Sequence, residues 1–319
     1  MQMTLPQALG VVVCLEEMFG SNEYALCFKA SERAHWSLEN AVSRLDFDFS
    51  RRFLPLKIFG GQGLDFLSAQ ELRLLNQVRG FSYAHLFLFV EEYIILQVQK
   101  QAKQHEQAHP DASRALLRFA EEETKHQALF HAMKAKLTAG LGHCGVIGGM
   151  TEVANFIVCK PPLAVMLLTS LLEWITQRHY LECFKDNKEL DPAFAEVFRL
   201  HWVEEAQHAR LDTLEIQALS AAATASEREQ AVDVLIELLD AVDGLLAQQV
   251  ELDVKTWEAL SRRTLDPAQR ARLIADQYAA SRWTFIGSGL EHRVFRRIVG
   301  DVSPAGASKL DDVAKKFAS

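Results

Sequence analysis

The segment His201-Trp202-Val203-Glu204-Glu205-Ala206-Gln207-His208 places His201, Glu205 and His208 at i, i+4 and i+7. On an α-helix these three positions project from one face. Imidazole and carboxylate donors together suit iron, manganese or zinc. A Glu-x-x-His pair on one helix is also half of the ligand set of a di-metal carboxylate bundle. The chemistry to look for is a metal held against a helix face.

Glu-x-x-His occurs four times, at Glu32/His35, Glu106/His109, Glu123/His126 and Glu205/His208. Chance supplies roughly one, so the motif alone decides little and the setting must separate the copies. Glu106/His109 sits in a polar stretch that stops at Pro110, and Glu32/His35 has no second acidic helix spaced to partner it. By contrast, Glu123 shares a face with Leu116, Phe119, Ala120 and Phe130, and Glu205 shares one with Phe198, Trp202 and Ala209. A carboxylate amid apolar side chains is costly unless a metal or another cation compensates it.

A bundle site needs one further carboxylate from each of two other helices. Glu91 is central to Ala84, Phe87, Leu88, Ile94, Ile95 and Val98, whereas its neighbour Glu92 lies about 100° round the helix. Glu173 ends the apolar run 163–172, with Thr169, Ser170, Thr176 and Gln177 on its own side, small and polar enough to leave room for a ligand. The spacing from Glu91 to Glu123 is 32 residues, as is that from Glu173 to Glu205. A shift of 82 carries Glu91, Glu123 and His126 onto Glu173, Glu205 and His208. Two helix pairs thus repeat one ligand pattern, as a pseudo-twofold di-metal site requires, and the repeat favours Glu91 over Glu92. His201 breaks it, because its counterpart is Phe119.

The expected metal set is therefore Glu91, Glu123, His126, Glu173, His201, Glu205 and His208, with Glu123 and Glu205 as bridges. Asp212 reads equally as an acceptor behind His208 and as a surface ion-pair residue. Tyr93 and the run Glu121-Glu122 are assigned no function, nor are His131, His143, His179 and His292.

The elements that must position these residues read as helices throughout, so the class is all-α. Helices are expected from Asn22 to about Arg44 (with a weaker one before it), from the capping box Ser68-Ala69-Gln70-Glu71 towards Gln104 with an interruption at Gly80, and from Asp111 to Thr138. Beyond a glycine-rich linker at 140–149, further helices run from Pro162 to about Lys185 and from Pro192 to about Ser220. Ser226-Glu227-Arg228-Glu229 is expected to cap another, Asp266-Pro267 a last one ending near Val299, and a polar tail follows. The expected architecture is one domain over 1–319, with a four-helix core at about 68–221 and packing helices and tail at 1–67 and 222–319.

With 49% apolar and 24% charged residues the chain is ordinary globular material, not disorder. A formal charge of −8 argues against nucleic acid or an anionic membrane as the main partner. Five scattered cysteines without Cys-x-x-Cys suggest reduced thiols in a cytoplasmic protein, not a disulfide framework. No signal peptide is expected, and the apolar run 163–172 is too short to span a bilayer.

The order Glu, Glu-x-x-His, Glu, His-x-x-x-Glu-x-x-His resembles the ferritin-like di-iron oxygenases. It is most similar to the p-aminobenzoate N-oxygenase (AurF-like) family, over roughly residues 70–220. The histidine one turn before the second Glu-x-x-His singles that family out from ferritins, ribonucleotide reductase small subunits and bacterial multicomponent monooxygenases. The resemblance implies a ferritin-like four-helix bundle carrying two Fe ions, or an Fe/Mn mixture, on the seven residues named above. It further implies O2 as co-substrate, oxidation of an aryl amine nitrogen or similar small organic substrate, an external electron donor and a homodimer. An iron-storage protein built on the same bundle is the alternative, although it has no use for His201.

Overall fold

In the computed structural model, which describes residues 23–317, the core is built by four long helices: α4 (Ala69–His105), α5 (Pro110–Leu141), α7 (Pro162–His179) and α8 (Pro192–Ala222). Ahead of them lie α1 (Glu23–Ala34), α2 (Leu38–Ser43) and α3 (Leu56–Phe59), and α6 (Met150–Val158) sits between the two core pairs. After them come α9 (Ala225–Ser261), α10 (Pro267–Arg282), α11 (Ser288–Leu290), α12 (Arg293–Val302) and α13 (Pro304–Phe317). Among the described residues there is no strand, only an isolated bridge between Arg52 and Leu190. This is the expected all-α, ferritin-like bundle.

Packing follows the chain pairwise. α4 lies on α5 and α7 on α8, while α5 also meets α8 and α4 meets α7. The helices α4 and α8 therefore face each other diagonally across the bundle axis. Outside this core α1 covers α5 and α8, and α9 covers α4 and α7. By length and composition α4 could cross a membrane, but 78% of its apolar window is buried inside the fold, which marks it as a core helix.

Local chemistry sets the helix ends. Ser68 Oγ accepts from Glu71 N at 3.3 Å and Glu71 Oε2 accepts from Ser68 N at 2.7 Å, the expected reciprocal cap of α4. Asp191 caps α8 by accepting from Phe194 N at 2.6 Å, and its other oxygen accepts from Asp48 N at 2.7 Å, tying the 46–67 segment to the bundle.

Several expectations are corrected. α4 runs through Gly80 without a break; a Cβ there would stand 2.8 Å from Phe53 Cβ and 3.2 Å from the Phe194 ring. The glycine permits a close approach and does not end the helix. The helix expected over 22–44 is split at 35–37, where Ser37 accepts from Asn40 N and restarts it as α2. α9 is capped by Thr224, which pairs with Glu227, so the overlapping Ser226–Glu229 pattern falls inside the first turn. Residues 304–317 are not a tail: they form α13, with Leu310 and Phe317 buried. The weaker helix expected before Asn22 lies outside the described residues.

Candidate metal centre

Midway along the bundle all seven expected residues converge, each buried. α4 contributes Glu91, α5 contributes Glu123 and His126, α7 contributes Glu173, and α8 contributes His201, Glu205 and His208. Their donor atoms form two groups able to hold a cation: Glu91, Glu123, His126 and His201, and Glu123, Glu173, Glu205 and His208. Glu92, the rival of Glu91, is half-buried and accepts from Gln127 Nε2 at 2.9 Å, outside both groups.

The two central carboxylates face both halves. Glu123 sets Oε2 3.2 Å from His126 Nδ1 and Oε1 3.0 Å from His208 Nδ1. Glu205 sets Oε1 2.9 Å from His201 Nε2 and 3.2 Å from His126 Nδ1, with Oε2 3.1 Å from His208 Nδ1. Glu91 Oε1 lies 3.2 Å from His201 Nε2. Yet Glu91 Oε2, Glu123 Oε1, Glu173 Oε2 and Glu205 Oε1 make no hydrogen bond, although they are fully buried. Donors this close and this poorly aligned for one another are arranged around something they share. Four carboxylates balance two divalent cations, and a mixed oxygen and nitrogen set suits iron or manganese. The residues fit the metals implied by the sequence.

Electrostatics in the metal-free protein agree. Burial pushes the Glu91 carboxyl up to about 8 against the pull of His201. Burial, with Glu205 beside it, also holds Glu173 well above the usual carboxylate range. Burial alone would raise Glu205, but His201 and His208 hold it well below that range. The His201 imidazole is raised to about 8, because Glu205 and Glu91 outweigh burial. In effect protons and imidazolium charges stand where the cations would.

A second tier was missed in the sequence. His126 Nε2 lies 3.0 Å from Glu204 Oε2, and His208 Nε2 lies 2.9 Å from Glu122 Oε2. Each acid is backed by a cation: Lys125 pairs with Glu204, and Arg118 Nε lies 3.3 Å from Glu122 Oε1. Acceptors on the far nitrogen fix the tautomer and orientation of a ligating histidine. Glu122, assigned no function as part of a charge run, is thereby corrected: it is buried, unlike exposed Glu121. The signal existed, because the shift of 82 also carries Glu122 onto Glu204. Asp212 serves neither expected role, being fully buried with neither oxygen partnered.

The pseudo-twofold breaks where the sequence breaks it. His201 adds a third nitrogen beside Glu91 and His126. Its counterpart Phe119 instead stacks on His208, ring centroids 3.9 Å apart. The two halves are therefore unequal, one richer in nitrogen and the other walled by an apolar ring. Thr169 and Thr176, expected to line a ligand space, bond back to their own helix at Val165 O and Leu172 O, while Ser170 Oγ is buried and unpartnered. A surface cleft of about 500 Å³ around Arg51, Arg52, Arg73 and Lys188 contains none of the seven residues.

Comparison with known proteins gives the family. The model of the family described as P-aminobenzoate N-oxygenase AurF matches residues 46–283. Among solved structures, an R2-like ligand-binding oxidase with an aerobically reconstituted Mn/Fe cofactor is similar at 16% identity and a TM-score of 0.43, covering 93% of this chain and 99% of that one. The structure of an R2-like ligand-binding oxidase mutant with an aerobically reconstituted Fe/Fe cofactor is similar at 16% identity and a TM-score of 0.41, covering 97% and 98%. No curated protein matches it significantly.

Proposed function

This chain belongs to the p-aminobenzoate N-oxygenase (AurF) family, an oxidoreductase family, and from that premise we propose that it oxidises the nitrogen of an aryl amine or a similar small organic substrate. The observation that carries the reading is the pair of donor groups joined through Glu123. Glu91, His126 and His201 would hold one ion, Glu173 and His208 the other, and Glu123 and Glu205 both. Two bound iron ions, or iron with manganese, would supply the reductive activation of O2.

The rest falls to the chain. Glu122 and Glu204 keep the distal nitrogens of His208 and His126 occupied, so that each Nδ1 points inward. Phe87 and Phe130 pack edge-on to the His201 ring at 5.1 and 5.2 Å and keep water from that side. Buried Ser170 Oγ, one turn before Glu173, offers a free hydroxyl to a polar substituent of the substrate. His201 distinguishes this reading from iron storage, since a third nitrogen closes a coordination position without helping to store iron.

On the same reading the protein is a single-domain cytoplasmic homodimer supplied by an external electron donor. The test is turnover. Iron-loaded protein given O2, a chemical reductant and p-aminobenzoate or aniline derivatives should form N-oxygenated products detected by mass spectrometry with label from 18O2. Oxidation at carbon alone would replace the nitrogen assignment, and iron accumulation without product would favour storage.

A further inference from the structure

On one side of the metal centre α4 and α8 each carry a row of polar residues out towards the end of the bundle. Along α8 the inward residues are His201, Glu205, His208, Asp212 and Glu215, at alternating steps of four and three. That spacing is the seam of a helix packed in a bundle, where apolar side chains are the rule. Opposite them α4 holds Tyr93, Gln97, Gln101 and His105, one per turn.

Two contacts fix how these rows face each other. Glu91 Oε1 meets His201 Nε2 at 3.2 Å, and His105 Nε2 meets Glu215 Oε1 at 3.0 Å. Both pairs are separated by 110 residues in sequence. The two diagonal helices are therefore parallel and keep one register over fourteen residues, about 21 Å of helix.

Between the two contacts lie the orphans. Asp212 is 0% exposed with neither oxygen bonded, and Gln97 is 1% exposed with neither amide atom bonded. Gln101 is equally buried, and its Nε2 is free. An unsatisfied buried polar group costs about 1–3 kcal/mol, and several in a row are what ordered water molecules bridge. At the outer end Glu215 accepts from Tyr24 Oη at 2.8 Å and pairs with His105, whose side chain is 17% exposed. Beyond His105 stands exposed His109, ring centroids 5.7 Å apart.

We propose that this row conducts protons from solvent to the metal centre, with His105 and Glu215 as its mouth and Asp212 as the relay. The proposal rests on the oxygenase reading. Insertion of one oxygen atom of O2 into a substrate consumes two electrons from the external donor and two protons, and releases the other atom as water. Those protons must cross the protein. A proton taken up at His105 passes to Glu215, then through bridging water over one helical turn to Asp212, and on to the carboxylates around His208. Burial keeps the Asp212 carboxyl protonated well above the usual range; His208 opposes this, while Glu123, Glu205 and Glu215 reinforce it.

The route can be tested without metal. In infrared spectra of the metal-free protein, Asp212 should give a protonated carboxyl band that is absent from Asp212→Asn. On mixing with D2O that band should shift rapidly in the wild type and at least 10-fold more slowly in Glu215→Gln and His105→Leu, compared at a temperature at which circular dichroism shows each variant fully folded. Glu215→Gln retains an acceptor for Tyr24, so loss of fold does not confuse the result. No such band, or an exchange rate indifferent to both substitutions, would overturn the proposal. In iron-loaded protein Asp212→Asn should keep two ions per chain yet slow O2 consumption at least 10-fold, and an unchanged rate would also overturn it. Should the wild type consume no O2, the oxygenase reading fails on its own, while the exchange experiment still reads the route.

Discussion

Replacing Glu204 by glutamine should weaken one metal site and spare the other. Glu204 is fully buried, lies 3.0 Å from His126 Nε2 and pairs with Lys125, whose side chain is 14% exposed. Glutamine keeps an oxygen for His126 but removes the charge that makes the imidazole a stronger donor. Acceptors of this kind are worth about 10–100-fold in metal affinity, or about 1.4–2.7 kcal/mol. The substitution also strands the Lys125 ammonium. One-sided loss of a buried ion pair costs about 3–5 kcal/mol. The cost here should fall towards the low end, because Lys125 also lies over the Trp36 ring at 4.2 Å. In Glu204→Gln/Lys125→Met the stranded charge is gone, so stability should recover while affinity does not. Chelator competition would read the two affinities and thermal melts the stability. A uniform loss at both sites, no loss at either, or recovery of affinity in the double variant would refute the reasoning.

Four further outcomes are expected. Glu91→Gln should lower the metal content by one ion per chain, whereas Glu92→Gln should retain both, because Glu92 bonds only Gln127; elemental analysis decides. Metal loading at neutral pH should release protons, measurable with an indicator dye, since Glu91 and His201 are both raised to about 8 without metal. A group whose folded value lies above its unfolded one stabilises the fold at low pH and ceases to do so as the pH passes the folded value. The metal-free protein should therefore lose melting temperature as the pH rises from about 5 through 8. The loaded protein should not, and a flat metal-free profile would contradict the assignment. Gly80→Ala should cost about 1–3 kcal/mol by overpacking against Phe53 and Phe194, seen as a lower melting temperature with unchanged helicity.

The convergence of the seven residues was legible because their spacing is periodic. Carboxylates and imidazoles at helical spacing amid apolar side chains, repeated after 82 residues, leave few other readings. Glu91 over Glu92 followed from that repeat, and burial separates the two in the structure. The second tier was hidden by its neighbours. Glu122 sits in the run Glu121-Glu122-Glu123, where sequence alone cannot say which acids turn inward. Only the crossing of α5 and α8 sends Glu122 to His208 and Glu204 to His126. Asp212 was misjudged for the same reason: an acid at a seam position looks like a surface acid until the diagonal helix is in place. Helix ends were read well where the start signal was unique, as at Ser68 and Pro192, and poorly where two capping patterns overlapped at 224–229. The amphipathic 304–317 helix was missed because its few apolar residues, Leu310 and Phe317 among them, look sparse until they meet the covering helices.

The most direct test of the di-metal centre is metal content per chain, combined with the optical spectrum of Fe(II)-loaded protein mixed with O2, in wild type and His201→Ala. The expected result is two ions per chain and a transient oxygen-dependent band that His201→Ala alters. No bound metal and no band, or many ions per chain, would contradict the account.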